Sequence, residues 1–489
     1  MKTAIRHNVK GGKRVSNTNL GGSVAVDRYL CSSAHFAPRF AEYVLAELVE
    51  PSVRAASPAC GIDLVALARH AKAARARIVR LRLSMAGVLA GALVLLLVAI
   101  GFRSAALLVL AVLVGVVGVY LSVFFDRLAL YRGLGEMVSP QAPMRDLAPA
   151  LSAEDESRLE ELNTSNVIIF EGGDAFIAWG RRLRDGWQMS LDATKPATDS
   201  TGNKRTVVPF TPADLHKAVT LAVRSSGIPH VDAHNRLFVA GHSTAAVPGL
   251  LPDELNRPAT SVPPKSVRLG IERPRPDIRT YLCVEKTSWG GELAVNLYLR
   301  AAMVSGDLFI ECHAYVLLPL RAELTTIDHM PSGSVEMTFR AMRDAFGAYK
   351  VLRQLPTELK REHAAARRRR KDLADKYRAI RKNRPVSRGA GLSIRAAAAA
   401  DERVFLFAYT DEEMHVNALQ RRVLNAIEAF LEQHGVDTTD FNQKLTNIVN
   451  NHTYTIGSVN AQNAVVGSNN VQNSNPPPPN NPAPWSSNP

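Results

Sequence analysis

Two uninterrupted apolar runs stand out along the chain. From Met85 to Phe102, and again from Ala105 to Phe125, Tyr120 is the one ionisable side chain, and Leu, Val, Ala, Ile and Gly dominate. As helices rising 1.5 Å per residue the runs would extend roughly 27 and 32 Å, against a hydrocarbon thickness of about 30 Å. Only Arg103 and Ser104 separate them, so the pattern predicts an antiparallel membrane-spanning hairpin. Gly87 with Gly91 and Ala111 with Gly115, at four-residue spacing, are expected to let the two backbones approach.

Ahead of the hairpin, Phe40, Val44 and Leu48 mark one helix face and Leu64, Ala68 and Ala71 another, with a turn between them near Ser57 to Gly61. The second of these helices should continue straight into the first apolar run. Beyond a polar connector the period shifts to two. Val167 to Phe170 reads as a buried strand, and Trp187, Met189 and Leu191 alternate with polar neighbours as in a half-exposed one. Thr211, Pro212 and Asp214 signal a helix start, followed by Leu215, Val219 and Val223 on one face. Arg236 to Ala240 is a further strand. Residues 281–287, 292–304 and 308–318 form an antiparallel meander with one apolar face and one more polar face carrying Asn296, Tyr298 and Arg300. A helix bearing Val335, Phe339, Met342 and Phe346 is expected to cover the apolar face. Residues 357–383 read as a charged helix, 404–409 as a strand returning to the sheet, and Asp411 as the cap of a last helix bearing Val416, Leu419, Val423, Ile427 and Phe430.

The fold class expected is therefore α+β: a transmembrane helical hairpin followed by a cytoplasmic, mostly antiparallel sheet with flanking helices. The chain divides into a flexible basic arm (1–20), N-terminal helices (21–82), the hairpin (83–126), an α+β domain (127–356), a basic helix and linker (357–390), the returning strand with the C-terminal helix (391–450) and a tail (451–489).

Charge adds orientation. The net charge of +14 is concentrated, because residues 1–82 and 358–388 each carry about +9 and the remainder about −4. Arg69, Lys72, Arg75, Arg77, Arg80 and Arg82 precede the first apolar run, against Arg103 alone in the turn. The positive-inside rule then places both termini in the cytoplasm, at the inner membrane, with the six basic residues facing anionic lipid. The first twenty residues have no apolar core of a signal peptide. Cys31, Cys60, Cys283 and Cys312 should consequently be free thiols in a reducing compartment.

The run Arg367, Arg368, Arg369, Arg370 and Lys371 is a candidate for phosphate groups of lipid headgroups or of nucleic acid. Tyr377 is the one aromatic nearby, which argues against base stacking and favours headgroups; a solvated helix is the plain alternative. Catalytic motifs fail on context. Gly241-His242-Ser243-Thr244-Ala245 follows a strand, but Pro248 and Gly249 deny the helix a nucleophile elbow requires. Glu171-Gly172-Gly173-Asp174 lacks the Gly-Lys-Ser/Thr of a phosphate loop. Cys312 and His313, adjacent on a strand, point to opposite faces and cannot share a metal with Cys283. No cofactor is implied, and enzymatic activity is not the leading expectation.

The tail repeats itself. Ile456, Gly457, Asn460 and Gln462 recur ten residues later as Val466, Gly467, Asn470 and Gln472, with Ser and a second Asn matched as well, and Asp, Glu, Lys and Arg are missing from Thr446 onward. Uncharged Asn/Gln rungs can stack on identical copies; the alternative is a solvated tail. The pattern resembles the short amyloid signalling motifs at the termini of bacterial defence effectors and, more distantly, the homotypic interaction motifs of receptor-interacting kinases.

The strings Asp63 to His70, Asn166 to Phe170, Trp289 to Leu293 and Asn442 to Asn451 resemble, as a set, a family of two-span membrane proteins of Streptomyces and related actinobacteria, over roughly Arg28 to Asn451. The resemblance implies topology and domain order and supplies no catalytic residues. The loop Glu171 to Gly180 and the Asn/Gln-rich tail depart from it. The expected function is that of a membrane-anchored interaction or signalling protein, a component of a conflict or defence system, that assembles through like tails and engages an unidentified cytoplasmic protein. The alternatives are an enzyme of unrecognised chemistry in the α+β domain and a lipid- or nucleic-acid-binding scaffold using the Arg-rich helix.

Overall fold

The computed structural model describes residues 24–453 apart from 140–141, 177–178, 184–185, 331–332 and 401–405. The basic arm and the repeated tail lie outside the described residues. Two short helices, α1 (Val24–Phe36) and α2 (Pro38–Leu48), open the described chain. In α2 the apolar positions fall at helical spacing and are buried: Phe40, Ala41, Val44, Leu45 and Leu48. Asp63 then caps the 38-residue helix α3 (Leu64–Gly101), its carboxylate accepting the amides of Val65 and Ala66 at 3.0 and 3.1 Å. No proline or glycine cap interrupts α3, so it passes through the arginines and the whole first apolar run. Ser104 caps the return helix α4 (Ala105–Gly135). The two long apolar helices are an antiparallel hairpin, and within each apolar stretch most side chains are exposed.

The hairpin closes on half of the residues expected: Ala111 is buried and Gly115 lies in the seam, whereas Gly87 and Gly91 do not. Val88 meets Gly118, where an added Cβ would come within 2.5 Å of Val88 Cγ1, and Gly115 faces Ala92; around Gly87 and Gly91 nothing lies within 4 Å. The contact seam of α3 runs through Met85, Val88, Ala92 and Ala99, roughly every third or fourth residue, and this phase turns Gly87 and Gly91 outward.

After α5 (Ala153–Asn163) come seven strands: β1 (Val167–Phe170), β2 (Arg181–Arg182), β3 (Trp187–Asp192), β4 (Val231–Ala240), β5 (Ile278–Ser288), β6 (Leu293–Val304) and β7 (Asp307–Leu317). They build one mixed, curled sheet in the order β1-β4-β5-β6-β7, with β2 and β3 following one another along the outer edge of β7. The pair β1–β4 is parallel and the remaining pairs are antiparallel. Two helices, α6 (Pro212–Arg224) and α11 (Leu406–Gln433), cover the apolar face. Leu215, Val219 and Val223 of α6 and Val416, Leu419, Val423, Ile427 and Phe430 of α11 pack there against Leu293, Val295, Leu297 and Leu299. Thr211 and Asp214 complete a reciprocal capping box at the start of α6.

Three expectations about the helices are overturned. Helix α8 (Ser334–Ala345) does not cover the sheet. It packs through Met337 and Ala341 on the foot of the hairpin, and Val335, Phe339 and Phe346 remain exposed. Its apolar residues fall on two faces, and periodicity alone does not say which one a neighbour takes. Residues 406–409 are helical rather than extended, forming the first turn of α11, and Val404 lies outside the described residues. Asp411 therefore sits inside α11, where it accepts a hydrogen bond from Trp289 Nε1 at 2.7 Å. The segment that does return to the sheet is Gly389-Ala390, which lies along the edge of β1 with the Ala390 amide donating to Ile169 O at 2.8 Å. A Cβ on Gly389 would stand 2.5 Å from the Phe170 carbonyl, so glycine is needed for this approach.

The charged helix α9 (Ala348–Arg381) begins nine residues earlier than expected and doubles back beside α3. Two short pieces complete this part of the chain, α7 (Pro264–Glu272) and α10 (Ile394–Ala398), and α12 (Thr439–Thr453) ends it. One core joins α1, α2, the first turns of α3, the end of α4, α5, α8 and residues of the 320–330 segment, so the N-terminal helices and the sheet-bearing part share a hydrophobic interior.

Candidate functional site

Strand alternation sends Arg236, Phe238, Tyr281, Cys283, Glu285, Asn296, Tyr298, Arg300, Glu311, His313 and Tyr315 to the sheet face opposite α6 and α11. This is the polar face expected from the meander, and it is organised in two halves. In the deeper half Arg236 Nη1 donates to Glu285 Oε1 at 2.8 Å, and the Arg236 guanidinium lies 4.6 Å from the Trp179 ring centre. Cys283 and Tyr298 are wholly buried beside this pair. Burial pushes the Tyr298 hydroxyl and the Cys283 thiol well above their ordinary values.

The shallower half is built around Phe176, which the loop after β1 inserts into the aromatic layer. Its ring stacks on Tyr298 with centres 4.4 Å apart and meets Phe238 and Tyr281 edge to face. Asp174 fixes that loop, accepting the Phe176 amide at 2.8 Å and the Tyr315 hydroxyl at 2.9 Å. Next to it, Tyr281 and Arg300 both donate to Glu311 Oε1 at 2.8 Å. Burial opposes ionisation of Glu311, but these two hydrogen bonds outweigh it and hold the carboxyl below its usual range. Tyr281 is pushed up to about 12, chiefly by burial and then by the Glu311 charge.

Between the Phe176 loop and residues 276–279 a cleft of about 340 Å³ opens to solvent. Asp174, Arg182, Asp277, Arg279, Tyr281, His313 and Tyr315 supply its polar lining, and Phe170, Phe176 and Phe238 its apolar wall. Asp174 is already engaged by Tyr315, and Tyr281 by Glu311. The groups at the mouth are the guanidinium groups of Arg182 and Arg279, the His313 ring, which burial shifts toward the neutral form, and Asp277. The arrangement suits a small polar group held between cations and an aromatic wall. Among the described residues its lining contains no serine, cysteine, threonine or lysine that could act as a nucleophile. Ser243, at the rim of the sheet, donates to Asp277 and leads into a single 3-10 turn, Thr244–Ala246, not the α-helix of a nucleophile elbow. Among the described residues no group of three or more His, Cys, Asp or Glu side chains is placed to hold a metal ion. Cys283 lies on the polar face and Cys312 on the apolar one.

The basic residues ahead of the hairpin divide. Arg69 pairs with Glu156 at 2.7 Å, Arg77 lies 3.7 Å from Asp126 and Arg82 binds both oxygens of Glu362. These three turn toward carboxylates of the protein; Lys72, Arg75 and Arg80 are exposed, Arg75 with Nη1 3.4 Å from Glu50 Oε1. Arg367 to Lys371 are exposed on α9, with Arg369 Nε 3.6 Å from Glu50 Oε2. The repeated residues Ile456, Gly457, Asn460, Gln462, Val466, Gly467, Asn470 and Gln472 lie outside the described residues. Sequence reasoning missed the Phe176 plug, the Arg236–Glu285 pair and the cleft. The one available signal was the alternation of polar with apolar positions in the meander.

The fold thus defines a protein with an apolar two-helix hairpin at the foot of an α+β domain. Residues 186–462 match the AbeC-like domain, more than half of the chain, and the protein belongs to that family. The match starts just before β3, so the hairpin and β1 lie outside it. No curated protein and no solved structure matches the chain.

Proposed function

We propose that this protein is a membrane-anchored interaction protein, in which the hairpin crosses the inner membrane, both termini are cytoplasmic, and the AbeC-like domain engages a cytoplasmic partner or a second copy through its tail. The observation that carries this reading is the attachment of the domain to the foot of the hairpin. Arg82, three residues before the first apolar run, is bound to Glu362 of α9, and Tyr131 of α4 donates to Asp344 of α8. An event at the membrane would move the domain as a unit, which is what a membrane-proximal signalling protein needs. The exposure of both apolar helices supports spanning, since the core helices of a soluble domain bury such residues. Excess cations on one side of the hairpin support the orientation.

In this arrangement Arg367 to Lys371 form a solvated basic face and do not grip headgroups. Arg369 stands about 30 Å along α9 from Tyr349, which is nearly four Debye lengths of about 8 Å at physiological salt. The cleft under Phe176 favours a second reading, a small-ligand site that tunes the interaction; a role for the protein in conflict or defence systems rests on the tail alone. Chemical cross-linking of the full-length protein in native membranes tests the first reading. Oligomers that disappear when residues 454–489 are removed support it, and oligomers unchanged by the truncation contradict it.

A further inference from the structure

The face of α8 left uncovered by the protein needs a partner of its own. Val335, Phe339, Met342, Phe346 and Tyr349 recur at spacings of four and three residues and are 68%, 62%, 39%, 70% and 63% exposed. Val335, Phe339 and Met342 form one stripe of α8 on the side away from the Met337 and Ala341 face that packs on α4, and Phe346 at its C-cap and Tyr349 in the first turn of α9 follow it. Glu336 and Arg343 occupy the exposed flank, while Arg340 and Asp344 turn toward Tyr131 of α4. An exposed apolar stripe this long is not neutral surface in water.

Its position supplies the partner. The turn from α8 into α9 lies against the apolar runs: Ala345, Ala348, Val351 and Leu352 cluster with Met85, Val119 and Val123, and the Phe346 ring centre is 5.4 Å from that of Tyr120. Val119 and Tyr120 are six and five residues inside the end of the second run at Phe125, about 7 to 9 Å along the helix axis. That is the depth at which interfacial helices bury their apolar face. Arg343, Lys350 and Arg353 are exposed around the turn, at the height of anionic headgroups.

We propose that the α8–α9 turn is a membrane-inserting wedge, with Phe339, Met342, Phe346 and Tyr349 in the boundary between headgroups and acyl chains of the phospholipid bilayer. This inference rests on the reading of the hairpin as spanning. The wedge gives the AbeC-like domain its own hold on lipid, so the domain would be sensitive to the lateral packing of the leaflet it enters. Four aromatic or large apolar side chains and three cations make it a substantial anchor.

Single cysteines at Phe339, Phe346, Arg343 and Lys350, labelled with an environment-sensitive NBD group in the full-length protein reconstituted into phosphatidylglycerol/phosphatidylethanolamine vesicles, test it. The four native cysteines can be replaced in the background. Fluorescence at Phe339→Cys and Phe346→Cys should shift to the blue and be quenched at least twofold by doxyl-labelled lipid, whereas Arg343→Cys is quenched much less. A label at Leu93→Cys, inside the first apolar run, separates the two readings. Quenching at Leu93 without quenching at 339 and 346 overturns the wedge and leaves the spans intact; absence of quenching at Leu93 overturns the spanning reading itself. Protection at 339 and 346 by energy transfer between two labelled copies, in place of lipid quenching, would assign the stripe to a dimer and overturn the proposal.

Discussion

Arg82 and Glu362, 280 residues apart in sequence, close a two-point ion pair at 2.5 and 2.6 Å between the foot of the first apolar helix and α9. The side chains are 19% and 26% exposed, so the pair is partly shielded from water. Its removal should cost more than the roughly 0 to 1 kcal/mol of an exposed pair and less than the 3 to 5 kcal/mol of breaking a buried one. Glu362→Ala should lower the thermal midpoint of the detergent-solubilised protein, by a loss of about 1 to 2 kcal/mol. The exchanged pair Arg82→Glu with Glu362→Arg should recover part of it. Equal midpoints in all variants would show that the domain is held to the hairpin by other contacts.

Half-buried His35 and buried His70 meet ahead of the hairpin. His70 Nε2 faces Met144 O at 2.8 Å and its Nδ1 faces His35 Nε2 at 3.1 Å. A carbonyl only accepts, so His70 carries its proton on Nε2, and His35 donates through Nε2 to His70 Nδ1. Burial, then the neighbouring His70 and Arg77, depress His35 to about 3 from an ordinary 6.5, and burial lowers His70 too. A depressed value means that the unfolded chain binds protons more readily than the folded one. The contribution is therefore complete above pH 6.5 and is lost as pH falls toward 3. Urea unfolding from pH 7 to 4.5 should show stability falling with a slope that His35→Asn reduces. An unchanged slope in the variant would remove the pair as the cause.

Close packing of the hairpin makes a sharper pair of substitutions. Gly118→Leu forces a side chain into Val88 and should destabilise the hairpin by about 1 to 3 kcal/mol. Gly91→Leu, with nothing within 4 Å of its Cβ position, should be tolerated. Thermal unfolding in detergent of the two variants distinguishes the seam found from the one expected at Gly87 and Gly91; the reverse ranking would contradict it.

For the tail, a peptide covering residues 453–472 should form thioflavin-positive fibrils with a strand spacing of about 4.7 Å. Asn460→Asp with Asn470→Asp should abolish them, because stacked identical rungs would then place like charges together. A monomeric wild-type peptide, or a double variant that assembles equally well, would leave the tail a solvated extension.

The parts of the fold legible in sequence were those where local chemistry and tertiary packing agree. Thr211, Pro212 and Asp214 start α6 by capping chemistry alone, and Leu293 to Leu299 alternate because one face meets helices. Residues 404–409 misled because a short apolar run fits a strand or the first turn of a helix equally well, and Ala408 with Glu412 are in fact buried four residues apart in α11. The stripe from Val335 to Phe346 was visible, but its partner was not, because helical spacing is the same whether the face meets a sheet or is left open. The cleft depends on Phe176 leaving its loop to stack on Tyr298, a contact between distant segments that no local pattern encodes.

If the hairpin crosses the membrane with both termini in the cytoplasm, its turn alone faces outward. Single cysteines at Lys13, Arg103 and Ser474, probed in intact cells with a membrane-impermeant maleimide, measure this directly. Arg103→Cys should react in intact cells, while Lys13→Cys and Ser474→Cys should react only after permeabilisation. Reaction of either terminal cysteine in intact cells, or an Arg103→Cys that is reached only from inside, would contradict it.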